Sequence, residues 1–257
     1  MEGTATVVKH TGSHYLLAQL PSWRLFPAVL RGKVRLGGSS ATNPVAVGDR
    51  VEFHTDGDLL PDGSVPASET APAAITRILP RRNYIIRKSV NLSRQAHIIA
   101  ANVDHAFIVV TLAFPEVKLP FIDRLLVTCE VYGVKPVIVL NKIDIVDEFR
   151  DDFALALENF HRIYEGAGYS ILEVSAKTGR GVDELRRLCL EKSEDGAPGI
   201  SLFSGVSGVG KSSLIKAMDP SLNPKTGLIS EAHLQGRHTT TFYEMYPLCG
   251  GEGCIID

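Results

Sequence analysis

A glycine-rich loop between a short apolar run and a helical pattern limits the folds open to this chain. The loop runs from Gly205 to Ser212 and fits the pattern G-x-x-x-x-G-K-[ST]. Residues 199–204 before it have the composition of a short buried strand, and residues 212–218 continue as a helix. Glycines let consecutive backbone N–H groups close around a phosphate, and the helix N-terminus adds a favourable dipole. The sequence therefore predicts a phosphate-binding α/β unit.

Two side chains of this loop have predicted roles. Lys211 would reach the β- and γ-phosphates of a nucleotide and serve catalysis, and Ser212 would ligate Mg²⁺. The alternative is a glycine-rich turn that only connects a strand to a helix. The predicted phosphate-binding residues are Gly205, Val206, Ser207, Gly208, Val209, Gly210, Lys211, Ser212 and Ser213.

A second motif indicates which base is bound. Asn141, Lys142 and Asp144 form N-K-x-D after an apolar run at 134–140 that is typical of a strand buried on both faces. The Asp144 carboxylate can accept from the ring N–H and the exocyclic amine of guanine, whereas adenine offers no such donor pair. Facing adenine, the buried carboxylate would be unpaired, at a cost of about 1–3 kcal/mol or more. The alternative is a capped strand end with a solvated Lys and Asp.

The other two residues of this motif also have predicted contacts. Asn141 would donate to the base and connect its loop to the phosphate loop. The stem of Lys142 would cover one face of the base.

A third motif, Ser175-Ala176-Lys177, follows a predicted strand at 171–174. Backbone N–H groups near Ala176 could meet the guanine carbonyl oxygen, which adenine lacks. The tripeptide alone fits an ordinary strand-to-helix turn equally well. Its place after N-K-x-D favours guanine binding by all three residues.

The order of these motifs is a circular permutation. In an ordinary Ras-like GTPase the phosphate loop comes first, whereas here it follows N-K-x-D and S-A-K. It precedes G-R-H-T-T-T at 236–241 and a final Ile255-Ile256-Asp257. With its N-terminal module, the chain resembles the RsgA (YjeQ/YloQ) family of circularly permuted bacterial GTPases, which assist maturation of the small ribosomal subunit. The resemblance covers essentially all of the chain.

The resemblance implies roles for the C-terminal motifs. It assigns residues 236–241 to switch I, where Thr240 would meet Mg²⁺ and the γ-phosphate and contribute to catalysis, with Thr239 as the fallback. Asp257 matches the first residue of D-x-x-G and would hold Mg²⁺ through water. His238 is a catalytic candidate that would orient the attacking water or accept its proton, although a switch-loop histidine can also contact RNA or solvent.

The family also leads us to expect zinc, but the sequence has no matching Cys/His cluster. Cys249 and Cys254 are predicted to be buried or in a hairpin. We therefore expect a GTPase domain at 90–257 with motif order G4-G5-G1-G2-G3, incomplete at its C-terminal end and without the zinc domain of the family.

The N-terminal module, residues 1–85, is predicted to be an all-β OB-fold barrel that binds RNA. Turn residues separate its predicted strands, a pattern typical of an oligonucleotide-binding barrel. A mobile loop at 56–72 would join two of them, and Trp23, Phe26 and Phe53 are candidates to stack on bases, with core packing favoured for Phe53. The predicted strands cover 4–10, 14–20, 25–36, 49–54 and 73–79.

Charge is distributed unevenly along the chain, although the net charge is only −2. Residues 1–100 carry a net +5 and residues 101–200 a net −6. Arg31, Lys33 and Arg35 alternate along one predicted strand, where they would share a face and could follow a phosphate backbone. The alternative is a solvated edge strand protected by charges.

Composition and motifs together predict a cytoplasmic, monomeric GTP hydrolase with GTP or GDP and Mg²⁺. No apolar run approaches the roughly 20 residues of a membrane helix. The family resemblance implies the small (30S) ribosomal subunit and its 16S rRNA as partners, with GTP hydrolysed during late subunit maturation. One alternative is a nucleotide-sensing rRNA-binding module with little turnover. Another, a P-loop ATPase or small-molecule kinase, is disfavoured by N-K-x-D.

Overall fold

The structure is a computed structural model, and it describes residues 1–31, 45–88, 96–222 and 243–257. The chain divides into two compact units that interleave along the sequence. Where described, the first unit comprises Met1–Val103, Lys192–Ile200 and Phe242–Ile256, and the second comprises Asp104–Glu191, Ser201–Thr241 and Asp257. The domain bounds 1–85 and 90–257 remain predictions.

The N-terminal strands close into a five-stranded barrel in the order β1-β2-β3-β5-β4. Strand β3 pairs in parallel with β5, whereas the pairs β1–β2, β1–β4, β2–β3 and β4–β5 are antiparallel. This arrangement is an OB-like barrel, as predicted from the short strands and their turn residues. The strands are β1 Glu2–Thr11, β2 His14–Gln19, β3 Arg24–Leu30, β4 Arg50–His54 and β5 Ala73–Ile78.

Alternating side chains of the five strands fill the barrel. The rings of Phe26 and Phe53 lie 4.8 Å apart, and both side chains are buried. The interpretation of Phe26 as a base-stacking candidate is therefore wrong, because its position in β3 faces the core rather than solvent. Trp23 is half-buried at the start of β3. Core packing of Phe53 is confirmed.

The third barrel strand was predicted over 25–36, and residues 32–36 of that range lie outside the described residues. It ends at Leu30, whose partner Ile75 is the last in the β3–β5 register. Arg31, the last described residue before the gap at 32–44, is exposed and lies outside the strand, although its backbone N–H still donates to the carbonyl oxygen of Ile75. Lys33 and Arg35 lie outside the described residues.

A hairpin that the sequence analysis did not identify follows the barrel. Strands β6 (Tyr84–Lys88) and β7 (Ala96–Ala101) pair antiparallel in a two-stranded sheet. Ile85 and Ile98 are buried on it. The loop between β4 and β5 joins two barrel strands, as predicted, and contributes Val65 to the barrel core.

A six-stranded sheet with helical connections carries the predicted nucleotide motifs. Its order is β10-β9-β8-β11-β13-β12, with β8 parallel to β9 and β11, and β9 parallel to β10. The predicted α/β class is confirmed. Its strands are β8 His105–Val110, β9 Lys135–Leu140, β10 Ile171–Glu173, β11 Ile200–Ser204, β12 Met245–Leu248 and β13 Gly253–Ile256. Its helices are α1 Leu119–Tyr132, α2 Ile143–Glu148, α3 Arg150–Gly166, α4 Val182–Cys189 and α5 Lys211–Met218.

The first helix shows how local sequence sets the element bounds. Helix α1 has a proline in its first turn, where a missing N–H costs nothing, and ends at Gly133 with φ of 67°. Its buried face consists of Ile122, Leu126 and Cys129, at helical spacing. Burial raises the pKa of the Cys129 thiol to about 11, with a smaller contribution from Glu130.

A buried ion pair holds the start of β4 against the segment that follows β5. The Asp49 carboxylate is fully buried and accepts from Arg81 Nε and Nη2 at 2.6 Å, and from the backbone N–H of Ala46 at 2.8 Å. We expect Asp49→Ala to reduce the free energy of unfolding by about 3–5 kcal/mol, because it leaves the guanidinium uncompensated. Urea unfolding would measure the loss.

The matched control is Asp195→Ala, which removes an ion pair of the same unit at the surface. Arg50 Nη1 lies 2.7 Å from Asp195, and both side chains are about half exposed. We expect a loss below about 1 kcal/mol. Equal losses in the two variants would contradict the importance assigned to the buried pair.

Candidate functional site

The three predicted motifs follow strands that end at the same edge of the parallel sheet. The phosphate loop follows β11, N-K-x-D follows β9, and S-A-K follows β10 after Val174. The carboxyl ends of neighbouring parallel strands lie side by side, which is where open α/β sheets bind ligands. The fold therefore brings the motifs together.

The phosphate loop has the backbone conformation that its glycines permit. Gly208 and Gly210 have φ of 85° and 96°, values that side-chain-bearing residues rarely adopt. A Cβ on Gly205 would lie 2.4 Å from the carbonyl oxygen of Val109, so the loop packs directly on the end of β8. Helix α5 begins at Lys211, immediately after Gly210. The loop thus presents backbone N–H groups at a helix N-terminus, where an anion is favoured.

Lys211 lies along this loop. Its Nζ donates to the carbonyl oxygen of Gly205 at 2.9 Å and to that of Val206 at 3.4 Å. Burial lowers the pKa of Lys211, an effect that the carboxylate of Asp257 opposes. Burial likewise raises the pKa of Asp257, and the charge of Lys211 opposes that shift. Each charge therefore shifts the pKa of the other group, which indicates that the two side chains lie near each other.

Asn141 connects the base-recognition loop to the phosphate loop. Its side chain is buried, and its Nδ2 donates to the carbonyl oxygen of Val209 at 2.7 Å. Its Oδ1 accepts from the backbone N–H of Ala176 at 3.3 Å. One amide group thereby contacts the other two motifs.

Lys142 extends from the same loop with a left-handed backbone, φ of 63°. Its Nζ donates to the carbonyl oxygens of Gly208, at 2.8 Å, and of Phe114. The contact with Phe114, in the loop between β8 and α1, has no sequence signal, because it is made by a backbone carbonyl. With its amino group held at the phosphate loop, the Lys142 stem lies between the two motifs.

The carboxylate of Asp144 is fixed by the third motif. Ser175 Oγ donates to Asp144 Oδ1 at 2.6 Å and accepts from the backbone N–H of Thr178 at 3.2 Å. Lys177 Nζ lies 3.9 Å from Asp144 Oδ2, and the Lys177 side chain is 80% exposed. The Asp144 side chain is 17% exposed, so the protein does not enclose it completely. The geometry fits a carboxylate positioned to accept from a guanine edge.

Gly210 is where an added methyl group would disrupt these contacts. A Cβ there would lie 2.4 Å from Asn141 Nδ2, on a backbone with φ of 96°. We expect Gly210→Ala to lower GDP affinity by about tenfold or more, because either the phosphate loop or Asn141 must shift. Titration with a fluorescent GDP analogue would measure it.

Gly168→Ala is the matched control for this substitution. Gly168 has φ of 88°, and its added Cβ would meet nothing within 4 Å. The control therefore carries the backbone strain, about 1–2 kcal/mol, without the steric conflict. GDP affinity that falls equally in both variants would refute the role assigned to the Gly210 contact.

Two of the side chains predicted to hold magnesium, Ser212 and Asp257, lie in the described part of the chain. Ser212 lies in the first turn of α5, half-buried, and Asp257 follows β13. Mg²⁺ prefers hard oxygens and usually takes one or two from protein, the rest from water and phosphates. No group of three or more His, Cys, Asp or Glu residues that could hold a metal occurs within the described ranges, and zinc is not confirmed.

The remaining predicted site residues fall on segments without a description. Thr239, Thr240, His238 and the rest of 236–241 lie outside the described residues.

Cys249 begins the turn between β12 and β13, and Cys254 is buried in β13, which confirms the hairpin prediction. In the part of the chain that is described, no helix has the length and hydropathy needed to cross a membrane.

Comparisons with known proteins agree with this geometry. Residues 78–257 match the family described as RsgA GTPase. A protein of Flavobacterium johnsoniae named small ribosomal subunit biogenesis GTPase RsgA is 44% identical over 245 residues, covering 95% of this chain and 69% of the relative. A Porphyromonas gingivalis protein of the same name is 44% identical over 254 residues, covering 98% of this chain and 74% of the relative.

Two solved structures share the fold. YjeQ from Thermotoga maritima is 31% identical, with a TM-score of 0.69 over all of this chain and 74% of that chain. YloQ, described as a circularly permuted GTPase, has a TM-score of 0.60 and 20% identity, covering all of this chain and 71% of that one. The second likeness supports the fold alone. The permuted order predicted from the motifs is confirmed.

Proposed function

Because this chain belongs to the RsgA GTPase family, we propose that it binds the small ribosomal subunit and hydrolyses GTP during late maturation of that subunit. The observation that carries the proposal is the convergence of phosphate-binding and guanine-recognition loops. Asn141 joins all three motifs through its contacts with Val209 and Ala176. The relatives named above are small-subunit biogenesis GTPases, which supports the choice of partner.

Guanine selectivity is assigned to the base-recognition loops. Asp144 would accept from the ring N–H and the exocyclic amine, while Ser175 holds the carboxylate in place. Adenine would leave this carboxylate without donors. The Lys142 stem would pack on the base, and the backbone near Ala176 would donate to the guanine carbonyl oxygen.

Catalysis is assigned to positioning and charge stabilisation. The backbone N–H groups of 205–213 and the Lys211 ammonium would surround the phosphates, so that water attacks the γ-phosphate in line. Ser212 and Thr240 would hold Mg²⁺ directly and Asp257 would hold it through water, and the ion would neutralise part of the phosphate charge. His238 is the candidate to orient the attacking water.

The RNA contact is assigned to the barrel. Arg31 is exposed at the end of β3, and Lys33 and Arg35 follow it in sequence. The net +5 of residues 1–100 would favour the phosphate backbone of 16S rRNA. We propose that the protein is a cytoplasmic monomer. Its release from the small subunit would follow loss of the contacts between the γ-phosphate and switch I.

Nucleotide competition and cosedimentation together test the proposal. GDP and GTP should displace a fluorescent GDP analogue, and ADP should not. The protein should cosediment with small ribosomal subunits in the presence of a non-hydrolysable GTP analogue, and less with GDP. Displacement by ADP would refute guanine selectivity. Sedimentation of the protein that is the same with and without small subunits would refute the proposed partner.

A further inference from the structure

Arg180 joins the two elements that carry the guanine-recognition residues. Its Nη1 donates to Asp147 Oδ2 at 2.6 Å, and its Nη2 donates to Glu173 Oε2 at 2.7 Å. Asp147 lies in α2, three residues after Asp144, and Glu173 ends β10, two residues before Ser175. The Arg180 guanidinium therefore bridges α2, the helix that contains Asp144, and β10, the strand that leads to Ser175.

The backbone of Arg180 is fixed against the same strand. Its carbonyl oxygen accepts from the N–H of Ser175 at 2.9 Å. The next residue, Gly181, approaches so closely that an added Cβ would lie 2.3 Å from the carbonyl oxygen of Glu173. Both ends of the Arg180 side chain are thus anchored, so its guanidinium is a spacer of defined length between α2 and β10.

The spacing of these two elements determines where the Asp144 carboxylate points. Asp144 belongs to α2, whereas the Ser175 hydroxyl that holds it at 2.6 Å belongs to the loop after β10. A shift of α2 relative to that loop would lengthen this bond or turn the carboxylate. Displacement of a group that recognises a ligand weakens binding of that ligand.

We propose that Arg180 is a positioning residue for guanine selectivity, which keeps Asp144 and Ser175 in register through its ion pairs with Asp147 and Glu173. The inference rests on the proposed function, since it presupposes a guanine nucleotide in this site. It concerns positioning rather than stability. The Arg180 side chain is 49% exposed, and exposed ion pairs add little to the free energy of unfolding.

Removal of the Arg180 side chain leaves neither carboxylate isolated. Asp147 still accepts from Arg150 at 2.9 Å, and Glu173 still faces His161 Nε2 at 3.0 Å. We therefore expect Arg180→Ala to fold with a melting temperature close to that of the parent. Its effect should be confined to nucleotide binding.

The test compares GDP with IDP, whose base lacks the exocyclic amine. Competition against a fluorescent GDP analogue gives both dissociation constants for the parent and for Arg180→Ala. We expect the GDP constant to rise about 5- to 10-fold and the IDP constant to change less, because a misaligned Asp144 loses two donors from guanine but only one from hypoxanthine. The GDP-to-IDP preference should therefore fall, and Arg180→Lys should restore part of it.

Arg187→Ala is the matched control. Arg187 is also exposed and also pairs with two carboxylates, Glu184 at 2.7 Å and Glu191 at 3.4 Å, but without bridging the recognition loops. Its GDP-to-IDP preference should equal that of the parent. An unchanged preference in Arg180→Ala would overturn the inference while leaving the proposed function intact.

Asp147→Asn provides a second variant should Arg180→Ala fail to fold. This substitution weakens the pairing of Arg180 with residue 147 while Arg180 itself is present. The GDP-to-IDP preference should therefore fall, as in Arg180→Ala, and an unchanged preference would overturn the inference. If the parent itself did not bind GDP, the proposed function would be refuted, and the role of Arg180 with it.

Discussion

Replacing Lys211 with alanine should lower kcat for GTP hydrolysis by at least about 100-fold, the scale of losing a preorganised charge-stabilising group at a reacting centre. Lys211 is half-buried, and its Nζ donates to the carbonyl oxygens of Gly205 and Val206. These two residues belong to the loop that would surround the phosphates of a nucleotide. Alanine would retain the helix but leave the developing charge of the transition state unbalanced. Phosphate release at saturating GTP measures the effect.

Lys216→Ala is the control for loss of charge on the same helix. Lys216 is exposed in the last turn of α5, away from the phosphate loop. Its kcat should remain within about twofold of the parent, because an exposed ammonium in the last turn of the helix is solvated and does not belong to the loop that would surround the phosphates. Hydrolysis by Lys211→Ala at a rate similar to that of Lys216→Ala would contradict the role assigned to Lys211.

Replacing Asp144 with asparagine should change the preferred base. The carboxylate accepts two hydrogen bonds from guanine, whereas an amide presents one acceptor and one donor. Guanine has no acceptor at the position of its exocyclic amine, so we expect GDP affinity to fall by about 100-fold or more. Xanthine carries a carbonyl oxygen there, and XDP should bind the variant more tightly than GDP does.

Competition of GDP, XDP and ADP against a fluorescent nucleotide measures this exchange. The matched control is Asp183→Asn, since Asp183 is 90% exposed on α4 and pairs with Arg186 of the same helix. That control should keep the parental order of affinities. A variant at Asp144 that still preferred GDP to XDP would refute direct base recognition by this residue.

The predictable parts of this protein are those with local sequence signals. The phosphate loop was predictable because its glycines, Lys211 and Ser212 all lie within the short segment 205–212, between a strand and a helix. The barrel strands were predictable from alternation and turn residues, although the pairing of β3 with β5, whose register includes Leu30 and Ile75, was not. Strand pairing is a long-range property, and the sequence of one strand does not contain it.

The contacts that complete the site were not predictable for the same reason. Lys142 is held by the carbonyl oxygen of Phe114, and no side-chain pattern reports a backbone acceptor. Arg180 bridges Asp147 and Glu173 only once α2 and β10 lie side by side. The alternation of residues in β3 does not show which face of the strand carries the core. Only the closed barrel shows that Phe26 faces inward.

GTP hydrolysis by the full-length protein, measured with and without purified small ribosomal subunits, tests the proposed function most directly. We predict slow hydrolysis of GTP alone, strong stimulation by small subunits, no stimulation by large subunits and no hydrolysis of ATP. Steady GTP hydrolysis that is indifferent to the small subunit would retain the enzyme and contradict the proposed partner. Hydrolysis of ATP at a comparable rate would contradict the guanine-specific site itself.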